Sequence, residues 1–199
     1  MAIHTAFIRA FLKKHEGREL IAYIPCRFRN FTGRNDLSKC GPVIGSSGVT
    51  VGSGLDLGQQ NMADLDRMGL DLELVALFCP YLGKKRDVAI AVLSANPLTL
   101  TNEQCDAVDA AVHADYIRRA AIAYDQAMPD APFALVPSQA QAVIVSLFYQ
   151  LGAGVTRYPR TWRFLLDADW EAAARELESG FTRFAARRAD EARLLREIG

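Results

Sequence analysis

Residues Gly45 to Gln60 read G-S-S-G-V-T-V-G-S-G-L-D-L-G-Q-Q, and this stretch decides how the chain is organised. Val49 and Val51 alternate with Thr50, the two-residue period of a half-buried strand, so both valines are predicted to face a core and Thr50 the opposite side. Glycines surround the threonine, which weakens a strand unless the chain bends sharply or another group approaches closely. This pattern is typical of the wall of an active site.

Asp56 follows Thr50 by six residues. Fully extended, six residues span roughly 20 Å, which is too far for one site. A sharp bend at Gly52 and Gly54 is therefore needed to return Asp56 towards Thr50. The ordinary alternative is a hairpin in which Asp56 only caps a turn or a helix. The stretch alone leaves a catalytic aspartate and a capping aspartate both open.

Composition narrows the classes of function. The chain has 199 residues, of which 50% are hydrophobic, with 23 basic and 23 acidic side chains. Such a chain can bury a core as one domain or as two small lobes. The balanced charge argues against nucleic acid or an anionic membrane as partner. No apolar run approaches membrane-spanning length, and the first 16 residues lack a cleavage site, so we expect synthesis in the cytoplasm without a signal peptide.

The four cysteines show no metal-binding spacing. Neither a C-x-x-C motif nor a pair of histidines accompanies Cys26, Cys40, Cys79 and Cys105, which argues against zinc and against a thioredoxin-type site. Free, mostly buried thiols are the default expectation, and we predict no metal and no cofactor. Cys26 and Cys40 flank one loop and can pair if the protein works outside the cytosol, so their state stays open.

The N-terminal segment Thr5–Glu16 is predicted to be a helix, because apolar residues repeat at helical spacing and Gly17 follows as a C-terminal cap. Glu16 ends the apolar stripe, where the helix dipole and partial burial disfavour its charged form. Such a carboxyl is a candidate proton donor, with a solvated glutamate at a helix end as the ordinary alternative. We expect Arg187 or Arg188 as its partner, since a buried carboxyl needs a donor.

After Gln60 the pattern is helical to the end of the chain. Thr101-Asn102-Glu103-Gln104 matches a capping box and opens the longest predicted helix, which runs to near Met128. The helix from Ser138 is apolar on nearly every side, the pattern of a bundle centre. The charges of the last helix are interpreted as mostly a solvated face. His113 has no ligand-spaced partner and is interpreted as a surface or packing histidine.

Several short motifs follow one another in a fixed order. They are Glu16-Gly17, Tyr23, Thr50-Val51-Gly52-Ser53-Gly54, the capping box from Thr101, Ser146–Gly152, Trp162–Leu166, Trp170–Ala173 and Arg187-Arg188. This order resembles the phage-type lysozymes over nearly the whole chain. The resemblance implies a mainly α (α+β), lysozyme-like fold with two lobes. A small glycine-rich β-sheet would lie in the N-terminal lobe and a helical bundle in the C-terminal lobe.

The same resemblance implies the boundaries of a single domain, residues 1–199. The N-terminal lobe would cover about 17–100, a linking helix about 102–127 and the C-terminal lobe about 128–199. Helix 5–16 would pack at the cleft.

One departure concerns the second catalytic carboxylate. The usual phage lysozyme carries it nine residues after the glutamate, a place that Pro25 occupies in this chain. The version in Gly48–Gln59 resembles instead the pesticin branch, whose bacteriocin has a lysozyme-like killing domain with a catalytic aspartate after the threonine. That match assigns the role to Asp56. Asp36, in the long loop before the glycine-rich stretch, is the competing carboxylate.

By resemblance, the chain is a muramidase that cleaves the β-1,4 bond between N-acetylmuramic acid and N-acetylglucosamine. Glu16 would protonate the leaving oxygen, Asp56 would activate water, Thr50 would place that water, and Tyr23 and Gln150 would line the sugar cleft. The alternatives are a non-catalytic peptidoglycan-binding module and a chitin-type glycosidase.

The expected partners are peptidoglycan glycan strands in the periplasm or cell wall, with an immunity or inhibitor protein as a further candidate. We expect a monomer. The sequence does not separate a phage endolysin from a secreted antibacterial effector or a bacteriocin domain.

Overall fold

The computed structural model describes residues 2–27, 37, 40–152, 158–181 and 184–198. The chain divides into two compact units. One comprises Met1–His15 together with Tyr116–Gly199, and the other comprises Glu16–Asp115. The second unit is therefore inserted in sequence between two parts of the first. The lobe boundaries and the substrate cleft stay predictions.

Three short antiparallel strands form one sheet in the Glu16–Asp115 unit, in the order β1 (Glu19–Tyr23), β2 (Thr50–Gly52) and β3 (Leu55–Asp56). At the end of β2 and in the turn to β3, the backbone adopts positive φ at two glycines, 57° at Gly52 and 111° at Gly54. Residues with a Cβ rarely adopt this conformation. The bend places Asp56 directly opposite Thr50, as the sequence pattern predicted.

Helices complete this unit. They are α2 (Met62–Met68), α3 (Leu72–Phe78), α4 (Arg86–Ala95) and the first half of α5 (Asn102–Ala127). The predicted capping box at the start of α5 is present, because Gln104 N–H donates to Thr101 Oγ1 at 3.1 Å and Thr101 N–H donates to Gln104 Oε1 at 3.0 Å. His113, further along α5, is 0% exposed. It is a packing histidine rather than a surface one.

In the other unit, all the regular secondary structure of the described residues is helical. It contains α1 (Thr5–His15), the second half of α5, α6 (Ser138–Leu151), α7 (Pro159–Leu166), α8 (Trp170–Ser179) and α9 (Ala185–Arg196). Every residue of α6 from Ala140 to Phe148 is buried, which confirms the predicted bundle centre. Helix α1 packs in the same core through Ile8, Phe11 and Leu12. A mainly helical chain with a small glycine-rich sheet is thus confirmed.

The end of α1 differs from the prediction. The helix ends at His15 rather than Glu16, and Gly17 does not have a positive φ angle. A left-handed glycine cap therefore does not terminate this helix. In its last turn, Lys14 Nζ donates to Asp190 Oδ2 of α9 at 2.6 Å. Glu16 occupies the bend that follows.

The cysteines also differ from the default expectation. Cys26 and Cys40 form a disulfide with their Cα atoms 5.8 Å apart, so the expectation of free thiols is wrong for this pair. Cys105, which is buried, and Cys79, which is exposed, are not joined in a disulfide. In the parts of the chain that the structure describes, no helix is long and apolar enough to cross a membrane.

Candidate active site

Three of the predicted site residues occupy one row across the sheet. Tyr23 on β1 is the register partner of Thr50 on β2, and Thr50 is the partner of Asp56 on β3. Directly opposed residues of antiparallel strands place their side chains on the same face of the sheet. The phenol, hydroxyl and carboxyl groups therefore line one face, with Thr50 in the middle.

The Asp56 carboxyl is held by two backbone amides. The N–H groups of Gly48 and Gly58 both donate to Oδ1, at 3.0 and 2.9 Å. The bond from Gly58 makes Asp56 the N-cap of a 3₁₀ turn, Leu57–Gln59. The capping role considered as the ordinary alternative is therefore real. It engages Oδ1, and a carboxylate carries a second oxygen, so the cap does not preclude chemistry at this residue.

Gly48 and Gly58 pack backbone against backbone beside this carboxyl. A Cβ on Gly48 would lie 2.2 Å from the carbonyl oxygen of Lys84 and 2.6 Å from the Cα of Gly58. A Cβ on Gly58 would lie 2.5 Å from the same carbonyl oxygen. Neither position has room for a side chain. Close approach, rather than a special φ angle, requires glycine at both places.

Burial raises the pKa of Asp56, because a partly buried carboxyl is less well solvated when charged. The amides of Gly48 and Gly58, the side chain of Gln59 and the charge of Lys85 act in the opposite direction, and the pKa remains above its usual value. A carboxylate with a raised pKa is a better proton acceptor near neutral pH.

Thr50 lies beside this carboxyl with little solvent exposure. Its side chain is on the face opposite Val49 and Val51, as strand alternation requires. The valines are 0% exposed, and Thr50 itself is only 3% exposed. Its Oγ1 donates to the carbonyl oxygen of Gly48 at 3.3 Å. The hydroxyl proton is thus directed to the backbone, so the Thr50 oxygen can act towards a further partner only as a hydrogen-bond acceptor.

Glu16 lies outside the row, in the partly exposed bend before β1. Two residues later, the guanidinium of Arg18 donates to Asn102 Oδ1 at 2.8 Å, to the Asn102 carbonyl oxygen at 3.0 Å and to Asp106 Oδ1 at 3.1 Å. The segment that carries Glu16 is therefore tied to the first turns of α5. The competing carboxylate, Asp36, lies outside the described residues.

A comparison with models of known protein families identifies the family of this chain. Residues 9–171 match the model of the Pesticin family, described as a bacterial toxin homologue of phage lysozyme, C-terminal part. The chain belongs to the pesticin family. No curated protein matches it significantly. The resemblance drawn from the sequence is confirmed, and with it the lysozyme-like character of the mainly helical fold. Membership supports a lysozyme-like peptidoglycan hydrolase, and so a glycoside hydrolase, as the general class.

In this pesticin-family chain, Gln150 belongs to the other unit, where Arg188 donates to its Oε1. Arg188 Nη1 also lies 2.6 Å from Glu191 Oε2, and Arg187 Nε lies 3.4 Å from Glu191 Oε1. These three charged residues are at most 5% exposed. The interpretation of the α9 charges as a solvated face is therefore wrong for them. The predicted pairing of Glu16 with Arg187 or Arg188 stays a prediction.

One residue near the row was not singled out by the sequence analysis. Asp109 on α5 is 3% exposed, and its Oδ1 accepts the Ser53 N–H of the β2–β3 turn at 2.9 Å. The same oxygen would lie 2.7 Å from a Cβ placed on Gly52. A usable signal was present, because Asp109 shares a helical face with the apolar Cys105 and Val112. An acidic residue on a buried face needs a buried partner.

The site holds no metal-binding arrangement among the residues that the structure describes. No group of three or more His, Cys, Asp or Glu side chains there is placed to hold a metal ion.

Proposed function

We propose that this chain is a muramidase that cleaves the β-1,4 bond between N-acetylmuramic acid and N-acetylglucosamine in peptidoglycan. The observation that carries the proposal is the row of Tyr23, Thr50 and Asp56 on one face of the sheet. The raised pKa of Asp56 supports its use as a base. Membership of a family homologous to phage lysozyme supports the class of substrate.

In the proposed reaction, Glu16 protonates the glycosidic oxygen of the leaving sugar while Asp56 accepts a proton from the attacking water. Two amides hold Oδ1 of Asp56 in place. Thr50 accepts a hydrogen bond from that water, since its own proton is directed to Gly48. Direct attack by water inverts the anomeric configuration, whereas a covalent intermediate on Asp56 would retain it.

Two residues are proposed to bind sugar rather than to move protons. Tyr23 stands at the end of the row and offers a ring face and a phenolic hydroxyl. Gln150 accepts from Arg188 through Oε1, so its NH₂ group is the part that would donate to a sugar hydroxyl.

The place of action follows from the substrate. We propose that the chain acts as a monomer on glycan strands in the periplasm or cell wall. A role as an antibacterial effector agrees with the toxin description of the family, and an immunity protein would be its natural inhibitor. The endolysin role is the alternative for the same chemistry.

The test measures turnover of purified peptidoglycan and of chitin. The release of reducing ends gives the rate, and mass spectrometry identifies the products. We expect N-acetylmuramic acid at the new reducing ends. Glu16→Gln should abolish turnover and retain binding, because the amide keeps the shape and loses the transferable proton. Glu73→Gln, an exposed change in the same unit, is the matched control.

Each other outcome points to a different function. Binding without new reducing ends would indicate a peptidoglycan-binding module, and faster turnover of chitin would indicate a chitin-type glycosidase. Full activity of Glu16→Gln would contradict its assignment as the acid. The anomer first formed, observed by NMR, separates inversion from retention.

A further inference from the structure

One face of α5 contacts both segments of the proposed catalytic site. Asn102, Asp106 and Asp109 are spaced four and three residues apart, so they lie on one side of the helix. The first two bind Arg18, two residues after Glu16. Asp109 binds the turn between the strands that carry Thr50 and Asp56.

The contact with Arg18 is directional. Arg18 Nη1 donates to the Asn102 side chain, and Arg18 Nη2 donates to the Asn102 carbonyl oxygen and to the Asp106 carboxylate. A planar guanidinium that makes three such bonds fixes its own backbone more strictly than a flexible ammonium would. Between Arg18 and Glu16 there is only Gly17.

The contact with Asp109 is buried. Asp109 Oδ1 accepts a hydrogen bond from the Ser53 N–H at 2.9 Å and lies directly against Gly52. These two residues belong to the bend that sets Asp56 opposite Thr50. A shift of the bend on α5 would therefore move the row as a whole.

We propose that Arg18 and Asp109 are positioning residues, which together set the separation between Glu16 and the Thr50–Asp56 pair by holding both segments on one face of α5. The proposal rests on the proposed function. Neither residue touches the reacting atoms. They act through Glu16 and through the β2–β3 bend.

Loss of the Arg18 side chain is expected to lower the catalytic rate while changing the stability of the protein only slightly. The side chains of Arg18 and Asp106 are 39% and 61% exposed, and ion pairs so exposed add little to stability. A misplacement of catalytic groups by about 1 Å can lower the rate roughly a hundredfold. A residue that matters for position therefore changes kcat far more than it changes the melting temperature.

The experiment measures kcat and KM on soluble, uncross-linked glycan strands, together with melting temperature. Arg18→Ala should lower kcat by about tenfold to a hundredfold, with KM within about twofold and Tm within about 4 °C. Arg18→Lys should have a kcat between those of the wild type and Arg18→Ala, because an ammonium group keeps the charge but lacks the planar set of guanidinium donors. Arg175→Ala removes a similarly exposed pair with Glu171 on α8, and its kcat should equal that of the wild type.

Asp109 is tested by comparing two variants. Asp109→Asn keeps an acceptor for Ser53 N–H and should retain most of kcat, whereas Asp109→Ala should lose it at temperatures where both are folded. Asp115→Asn is the control. It is another buried carboxylate on α5 and binds Arg67 instead of the bend. It should leave kcat unchanged.

The possible failures differ from one another. A wild-type protein without turnover would remove the proposed function and this inference with it. Wild-type turnover with an unaltered kcat in Arg18→Ala would overturn the positioning role of Arg18 alone. Equal losses in Asp109→Asn and Asp109→Ala, both folded, would overturn the role given to the Asp109 acceptor.

Discussion

Thr50 and Asp56 are register partners that bind opposite ends of the same residue. Thr50 Oγ1 donates to the carbonyl oxygen of Gly48, and Asp56 Oδ1 accepts from its N–H. One glycine therefore fixes both the proposed base and the residue proposed to place the water. Both backbone bonds to Asp56 use Oδ1, so a variant that keeps this acceptor separates the structural role of Asp56 from its proposed catalytic role.

The change Asp56→Asn replaces one carboxylate oxygen and preserves the Oδ1 acceptor. We expect it to lose most turnover, because an amide cannot accept the proton of the attacking water. The melting temperature should change little, since the bonds from Gly48 and Gly58 can persist. Turnover and thermal unfolding measured on the same preparation test this. A purely capping role predicts that turnover stays intact as well, because the asparagine keeps the acceptor for both amides. Asp36→Asn is the control.

The stability of the protein should depend on pH through Asp56. Its pKa is raised by burial in the folded state, so the folded chain keeps this proton to higher pH than the unfolded chain does. The contribution to the free energy of unfolding is therefore greatest below the unfolded pKa of about 3.9. It declines as the pH rises through that value to the folded pKa, and is constant above it.

Urea unfolding of the wild type and of Asp56→Asn between about pH 3 and pH 7 isolates this contribution. The wild type should lose stability relative to the variant as the pH rises across that window. A difference that is independent of pH would contradict the shift. Asp130→Asn, an exposed change, is the control.

Gly48→Ala should destabilise the protein by roughly 1 to 3 kcal/mol or more, the usual cost of overpacking. The new methyl would overlap the Lys84 carbonyl oxygen and the Cα of Gly58, which are backbone atoms and cannot rotate away. Gly17→Ala is the matched control, because a Cβ there meets nothing within 4 Å. Denaturant unfolding of the two variants gives the comparison. Equal stabilities would show that the Gly48–Gly58 contact can relax.

Glu191→Ala should cost about 3 to 5 kcal/mol, because it leaves two buried guanidinium groups, Arg187 and Arg188, without their carboxylate. The exposed pair of Arg193 and Glu197 provides the control, and Glu197→Ala should cost about 1 kcal/mol or less. Chemical denaturation measures both. A small loss for Glu191→Ala would mean that water reaches the two arginines.

Local signals predicted much of the fold. The bend at Gly52 and Gly54 depends on backbone conformations that glycine alone adopts readily, and the start of α5 depends on four adjacent residues. Both can be recognised within a short window of sequence. The same holds for α6, whose apolar residues on nearly every side predict burial.

The contacts that were missed join residues far apart in the chain. Asp109 and Ser53 are 56 residues apart, and Glu191 meets Ser146 across 45 residues. Charges spaced three and four residues apart on α9 are compatible with a solvated surface or with a buried cluster, and only the packing of α6 decides between them. The disulfide could not be predicted for the same reason, because pairing of Cys26 with Cys40 requires the fold to bring the two ends of the loop together.

The insertion of one unit between two parts of the other also affects synthesis. Helix α1 is made well before the helix it packs against, because α6 begins more than a hundred residues later. At about 5 to 20 residues per second, the ribosome needs roughly 6 to 25 seconds to cover that interval. During this time Ile8, Phe11 and Leu12 lack the surface of α6 that belongs to the same core. A nascent chain of this protein therefore exposes the apolar face of α1, which chaperones can bind until α6 emerges.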